Sequence, residues 1–306
     1  MNTVKDFKAW DGMMIKFILK IGLGLVMLNS LLMSDPVIPK GDFNVKLIKM
    51  AGTPGEFINQ KETFPRDYFL INNNLPFLLG LSLHHPMSSS LELSKKQIEI
   101  ISKIKQKRMP YIIKNSQDIK LLELKLAQNI VRNTNTVKSQ YELIDAISKL
   151  KTDLTKTHIQ CINDVRDILT KEQYEKLLQY ATKLVKTKNL KFKIDELVIL
   201  PHPGKFIKMG RISVDKSIKQ KIKKSVKKVY APIFQGKMRE AFDLEKKVQR
   251  MVKKGKTKHD LKDTLDEIAK LKREAMDSRI DALNKMQKLL TKEQWNKVNK
   301  FTYGAK

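Results

Sequence analysis

A single cysteine in 306 residues excludes a disulfide framework and a cysteine-rich zinc site, each of which needs several. Aromatic residues make up only 7% of the chain, and carboxylates are outnumbered: 32 Asp and Glu face 61 Lys and Arg, a formal net charge of +29. The repeated long apolar runs of a membrane-spanning bundle are missing. So are the signatures of catalysis: there is no G-x-S-x-G, no H-E-x-x-H, no phosphate-cradling glycine loop and no carboxylate pair in an apolar setting. No enzymatic activity and no cofactor are expected. The 12 glycines and 10 prolines fall mostly before residue 90 and near 201–210, so most of the chain is free of strong helix breakers. Apolar residues, at 41%, suffice for a core if they recur at helical spacing. An all-α fold follows as the expectation. The positive surplus draws such a chain toward nucleic acid, anionic lipid or acidic polypeptide.

The amino terminus narrows the choice. Lys5, Lys8, Lys16 and Lys20 precede an apolar run from Ile21 to Met33, too short for a span of about 20 residues and suited to a secretory signal. Leu32, Met33 and Ser34 do not make an A-x-A cleavage site, so residues 1–34 read either as an export signal or as an uncleaved anchor, with membrane association through residues 15–33. A buried amphipathic helix is the third reading. Export places the protein in the periplasm, free or held at the inner membrane. There a basic chain meets polypeptides, lipid or envelope polymers rather than nucleic acid.

Residues 35–90 form an irregular arm, with Pro36, Pro39, Gly41, Gly52, Pro54, Gly55, Pro65, Pro76, Gly80 and Pro86 breaking any long helix. Phe69–Ile71 and Leu75–Leu83 are apolar pieces able to dock on a helical body. Beyond residue 90 the sequence repeats itself. Leu83–Pro86 (LHHP) returns as Leu200–Pro203 (LPHP), and Leu169–Gln173 (LTKEQ) returns as Leu290–Gln294, at offsets of about 117 and about 121. A tandem duplication is the reading, with unit 1 at 91–188, a linker at 189–210 in which Leu197–Leu200 suits a short strand, and unit 2 at 211–306.

The repeated motif has a local physical meaning. In Leu169, Thr170 and Gln173, threonine caps the amide of the third helical residue while glutamine reaches back to the cap's own amide, and Leu169 with Tyr174 makes a hydrophobic staple. Leu290, Thr291, Gln294 and Trp295 take the same roles, as do Leu93, Ser94, Gln97 and Ile98. A fourth place, Ser213–Ile218, has lost its glutamine. Each unit therefore has an opening and a closing helix.

This pattern of Leu, Ser/Thr, two variable residues and Gln, near both ends of a lysine-rich helical unit behind an export segment, resembles the LTxxQ motif of the Spy/CpxP family of periplasmic stress chaperones. The resemblance covers about two thirds of the chain. It implies four-helix, hairpin-like units pairing into a thin curved cradle, an elongated antiparallel bundle whose basic and apolar concave face holds unfolded or stress-damaged envelope proteins without ATP. Family members are single units that dimerise. Two units in one chain allow intrachain pairing in place of a homodimer. Metal-responsive relatives make an envelope stress sensor the alternative function, and an adaptor binding anionic lipid or envelope polymer is another.

The helices fit this expectation. Leu261, Leu265, Ile268, Leu271, Ala275, Ile280, Leu283, Met286 and Leu290 recur at steps of three and four, predicting one long amphipathic helix over 260–290. Ile147, Leu150, Leu154, Cys161, Val165 and Ile168 form the matching stripe in unit 1. Around a stripe of Val214, Ile218, Ile222, Val226 and Val229 stand Lys216, Lys219, Lys221, Lys223, Lys224, Lys227 and Lys228. Unit 1 has a milder counterpart in Lys95, Lys96, Lys103, Lys105, Lys107 and Arg108 beside Ile101 and Ile104. These cations are either an ordinary solvated face or a basic rim that steers clients toward apolar ground; Lys103, Lys107, Arg108, Lys216, Lys219, Lys223, Lys224, Lys227 and Lys228 are the candidate client contacts. Unit 2 carries about twice the net positive charge of unit 1. His158 and Cys161, at i and i+3, are a weak candidate metal pair. Their position on the apolar stripe, with Arg279 and Ala282 as counterparts in unit 2, favours a buried structural pair. His84, His85 and His202 lie in the repeated turn segments.

Overall fold

The computed structural model describes residues 68–71, 75–84, 88–131, 137–186, 196–198 and 200–303. Among them the fold is all-α, without strands. The chain divides into Met1–Pro39 and Lys40–Lys306. The first unit, with the expected export segment, lies outside the described residues, as do the arm up to residue 67 and His85. Repeat 1 comprises α1 (Leu78–His84), α2 (Lys95–Val131), α3 (Tyr141–Ile168) and α4 (Lys171–Lys186). Repeat 2 comprises α5 (Pro203–Lys208), α6 (Lys216–Ile222), α7 (Lys228–Lys253), α8 (Lys262–Leu289) and α9 (Lys292–Tyr303), with a π turn over Lys223–Lys227 joining α6 to α7.

The duplication is visible in these boundaries. Helices α3 and α8 are both 28 residues long and begin 121 residues apart, and α4 and α9 begin at the same offset. The opening helices each carry an interior proline, Pro110 in α2 and Pro232 in α7, 122 residues apart. The other repeated segment differs in use: the first LHHP ends α1 at His84, whereas the second starts α5 at Pro203. The strand expected at Leu197–Leu200 is not formed among the described residues; Leu197, Val198 and Leu200 are instead buried side by side in the core.

All three complete capping boxes close. The amides of Ser94, Thr170 and Thr291 donate to Oε1 of Gln97, Gln173 and Gln294 at 2.9, 3.0 and 2.9 Å, and each glutamine amide returns a bond to the cap hydroxyl at 3.2 Å. Two staples close as well, with Leu169, Tyr174, Leu290 and Trp295 all in the core. The third does not. Leu93 packs against the core, but Ile98 faces solvent next to exposed Ile100. At the fourth place Asp215 precedes α6 without a side-chain cap bond.

Within each repeat the long helices run antiparallel. Arg108 of α2 meets Asp164 of α3 at 2.6 Å while Glu123 meets Lys151 at 2.8 Å, so position rises along one helix as it falls along the other. In repeat 2, Lys237 of α7 meets Glu274 of α8 and Glu245 meets Lys272, both at 2.7 Å. Helix α7 stops in a Schellman turn, with Gly255 at φ +89° and bonds from Gly255 to Val252 and from Lys256 to Met251.

One hydrophobic cluster spans both repeats. It takes Ile144, Ile147, Ile159 and Val165 from α3 and Leu265, Ile268, Ile280 and Leu283 from α8, together with Leu70, Ile71, Leu75, Leu78 and Leu83 of the arm. The arm pieces dock as their apolar character predicts. Two ion pairs join α3 and α8: Asp145 binds Arg273 at 2.5 Å, and its repeat counterpart Asp266 binds Lys156 at 3.7 Å.

Candidate functional site

Lys151 and Lys272 occupy the same position in α3 and α8, and both are almost fully buried. A buried ammonium needs a counter-charge and hydrogen-bond acceptors. Lys272 pairs with Glu245 and donates to the carbonyl of Leu70, which belongs to the arm of the other repeat. Lys151 pairs with Glu123 and donates to the carbonyl of Leu197, in the segment leading into repeat 2. Each repeat thus latches the entry segment of its partner.

The glutamines of the boxes do a second task that their sequence spacing does not disclose. Gln97 Nε2 donates to Gln173 Oε1 at 2.8 Å, and Gln173 Nε2 donates to the Leu91 carbonyl at 3.0 Å. Gln294 Nε2 donates to the Ser213 carbonyl at 2.7 Å. The closing helix is therefore tied to the start of the opening helix in both repeats, even where the fourth box is missing. The motif residues are architectural.

His158 and Cys161 are buried on α3. The His158 Nε2 proton donates to the Pro76 carbonyl at 3.1 Å, and its ring lies 4.4 Å from that of Phe77 and 5.2 Å from that of Phe69. Burial pushes the Cys161 thiol up to about 12, with Arg108 opposing the rise. This is a structural pair seated under the arm. No cluster of three or more His, Cys, Asp or Glu suited to a metal occurs among the described residues. A thiol so protonated and covered is expected to resist a disulfide reagent in the native protein at pH 8 and to react at the unfolding rate. Rapid stoichiometric labelling before unfolding would contradict its burial.

Arg279, the counterpart of His158, holds the second entry segment: it donates to the Pro201 carbonyl at 2.7 Å and to Nδ1 of His202. Burial, then Arg279 and Lys205, lowers the His202 imidazole to about 4. His202 is therefore neutral at pH 7, with its proton on Nε2 facing Glu196 Oε1 at 3.4 Å, and the contact is not an ion pair. Burial raises the Glu196 carboxyl against the pull of Arg279.

The candidate client contacts separate into two groups. In repeat 1, Arg108 is engaged by Asp164 and Lys103 by Glu99 at 2.5 Å, and Lys107 is exposed. Arg108 is thus a structural residue rather than a rim cation. In repeat 2, Lys216, Lys219, Lys223, Lys224, Lys227 and Lys228 are all exposed, as is Lys221, and none forms an ion pair among the described residues. From Lys216 to Arg239 the chain has nine cations and no carboxylate. Of these only Lys237 has an ionic partner there, Glu274.

Next to this belt the stripe departs from its expected course. Val214 and Val226 are buried and Ile218 and Ile222 half-buried, as helical spacing predicts. Val229 is 49% exposed. The π turn at Lys223–Lys227 inserts extra backbone into one turn, so the inward line continues through Tyr230, Phe234 and Met238 and rotates Val229 outward. Ile233, one turn on, is also 49% exposed, and Pro232 lies between them. Sequence reasoning expected apolar ground beside these lysines but missed that Val229 and Ile233 are the residues left exposed. Pro232 and the Val229–Ile233 spacing were its only signals.

The chain matches no family model, no curated protein and no solved structure.

Proposed function

We propose that this chain is an ATP-independent, chaperone-like protein of the periplasm that binds unfolded or stress-damaged envelope proteins. The observation that carries the reading is the belt on α6, the π turn and α7: nine cations without a carboxylate, flanked by exposed Val229, Pro232 and Ile233. Long-range attraction brings acidic or amphiphilic segments to the belt, and weak apolar burial retains them. A π turn inside such a run is further support, since these turns are frequent at functional sites. The stapled, duplicated helical units and their resemblance to the Spy/CpxP chaperones point the same way. The basic composition and the export-signal-like amino terminus support an envelope location, and both repeats of one polypeptide would supply the cradle.

The test is suppression of aggregation of a chemically denatured client, without nucleotide, at low and high salt. Suppression is expected near a one-to-one ratio at low salt. It should weaken severalfold toward 1 M salt, where the screening length falls to about 3 Å. Replacing Lys219, Lys223, Lys224, Lys227 and Lys228 by glutamine should abolish the salt-sensitive part. No suppression at stoichiometric ratio removes the proposal. Flotation with anionic vesicles but no effect on aggregation would favour the lipid-binding adaptor instead.

A further inference from the structure

A second exposed face lies outside the belt, on α2 of repeat 1. Ile101, Ile119 and Leu126 turn inward and are fully buried. On the outward side Ile100, Tyr111 and Leu121 are 37%, 44% and 55% exposed, and Leu121 is the most exposed large apolar side chain among the described residues. Each has lysine beside it at helical spacing. Lys96 and Lys103 stand four before and three after Ile100, Lys107 and Lys114 stand four before and three after Tyr111, and Lys125 follows Leu121 by four. Steps of three and four align all of them in one stripe, about 44 Å long at 1.5 Å per residue. All five lysines are exposed.

The carboxylates near the stripe do not cancel it. Glu99 is held by Lys103 at 2.5 Å, and Asp153 of α3, near Tyr111, is held by Lys149 at 2.7 Å. Asp118, half-buried and four residues past Lys114, offsets at most that one charge. Lys96, Lys107 and Lys125 remain, with no ion pair or hydrogen bond among the described residues.

We propose that this face of α2 docks on an anionic bilayer surface. A second copy of the chain would set lysine against lysine. A shaped protein partner engages clustered apolar anchors, whereas these three lie about 15 Å or more apart along the helix. A fluid sheet of anionic headgroups matches both features, since lysines reach its charges while isolated apolar side chains enter between headgroups. Three separate apolar contacts are too few to hold the chain alone, so attachment depends on the anionic lipid. The chain also enters its described part at this helix: Tyr68 and Phe69 form a cluster against which Met109, Ile112 and Ile113 of α2 pack, and the apolar run Ile21–Met33 precedes them in sequence. The client-binding reading rests on the belt of repeat 2, so each proposal can fail without the other.

The experiment uses the full chain with an environment-sensitive fluorophore attached at Leu121→Cys or, separately, at Val229→Cys on the belt. Cys161 is buried, with its thiol pushed up to about 12, and stays unlabelled. Vesicles of phosphatidylcholine alone, or mixed with phosphatidylglycerol, are the probes. The label at Leu121 should shift to the blue and saturate with the anionic vesicles only, and the label at Val229 should shift far less. Changing Lys107, Lys114 and Lys125 together to Gln should raise the lipid needed for half the shift about tenfold or more, whereas Lys219→Gln with Lys223→Gln should change it much less. A Leu121 label that stays in water or ignores vesicle charge overturns the proposal. Equal shifts at both labels, or equal losses from both sets of changes, would mark general adsorption of a +29 chain and overturn it as well.

Discussion

Lys272→Ala is expected to destabilise the fold by about 3–5 kcal/mol, the range for breaking one side of a buried ion pair. The Lys272 side chain is about 1% exposed, and Glu245 opposite it about 3%. Alanine removes the ammonium 2.7 Å from that carboxylate and the donor 2.5 Å from the Leu70 carbonyl. It also leaves a void where a four-carbon stem had filled the seam. Most of the loss comes from a carboxylate held in the interior without that counter-charge. The double change Lys272→Met with Glu245→Leu should therefore recover much of it, because two apolar side chains of similar volume need no pairing. Lys151→Ala should have a smaller effect, since Glu123 is 15% exposed and water can still reach it. Urea unfolding of the three variants measures these differences. A loss below about 1 kcal/mol for Lys272→Ala, the scale of surface pairs, would show that the latch between repeats is solvated.

Gln97 and Gln173 should behave as one unit. Each single alanine change removes a reciprocal cap and a bond to the other glutamine or to the main chain, for about 1–2 kcal/mol apiece. The bond between the two side chains is lost in either case, so the double variant should fall short of the sum by about 0.5 kcal/mol or more. Gln294 serves as the control. Its partners are Thr291 and the Ser213 carbonyl, in the other repeat, so Gln294→Ala with Gln97→Ala should be additive. A double-mutant cycle by equilibrium unfolding distinguishes the two. Additivity for Gln97 and Gln173 would mean that the closing and opening helices of repeat 1 are not tied through their boxes.

The parts of the fold legible in the sequence are those set by neighbours within one or two helical turns. The inward line of α8 from Leu261 to Leu290 follows from helical period alone, and every residue of that stripe is buried. Capping boxes are equally local, which is why all three form. The staple at Leu93 and Ile98 fails because burying its second residue needs an opposing surface, and none among the described residues covers Ile98. Val229 was misplaced for a related reason. Helical spacing assumes an even rise and rotation, and the π turn at Lys223–Lys227 breaks that assumption in the middle of the lysine run.

Arg108, Lys151 and Lys272 mark the boundary of what a linear reading reaches. In the sequence they are three cations among 61. Only packing distinguishes an arginine held by Asp164, and two lysines latched to the entry segments of opposite repeats, from the unpaired lysines of α6 and α7. The sequence by itself determined the all-α class, the duplication and the capped helix starts, since all three are written in spacings along one chain. Tertiary structure alone decided which charges are buried, how the repeats exchange their entry segments and which apolar residues remain in water. Those outcomes depend on what faces a side chain across the core, and that partner is as far as 202 residues away.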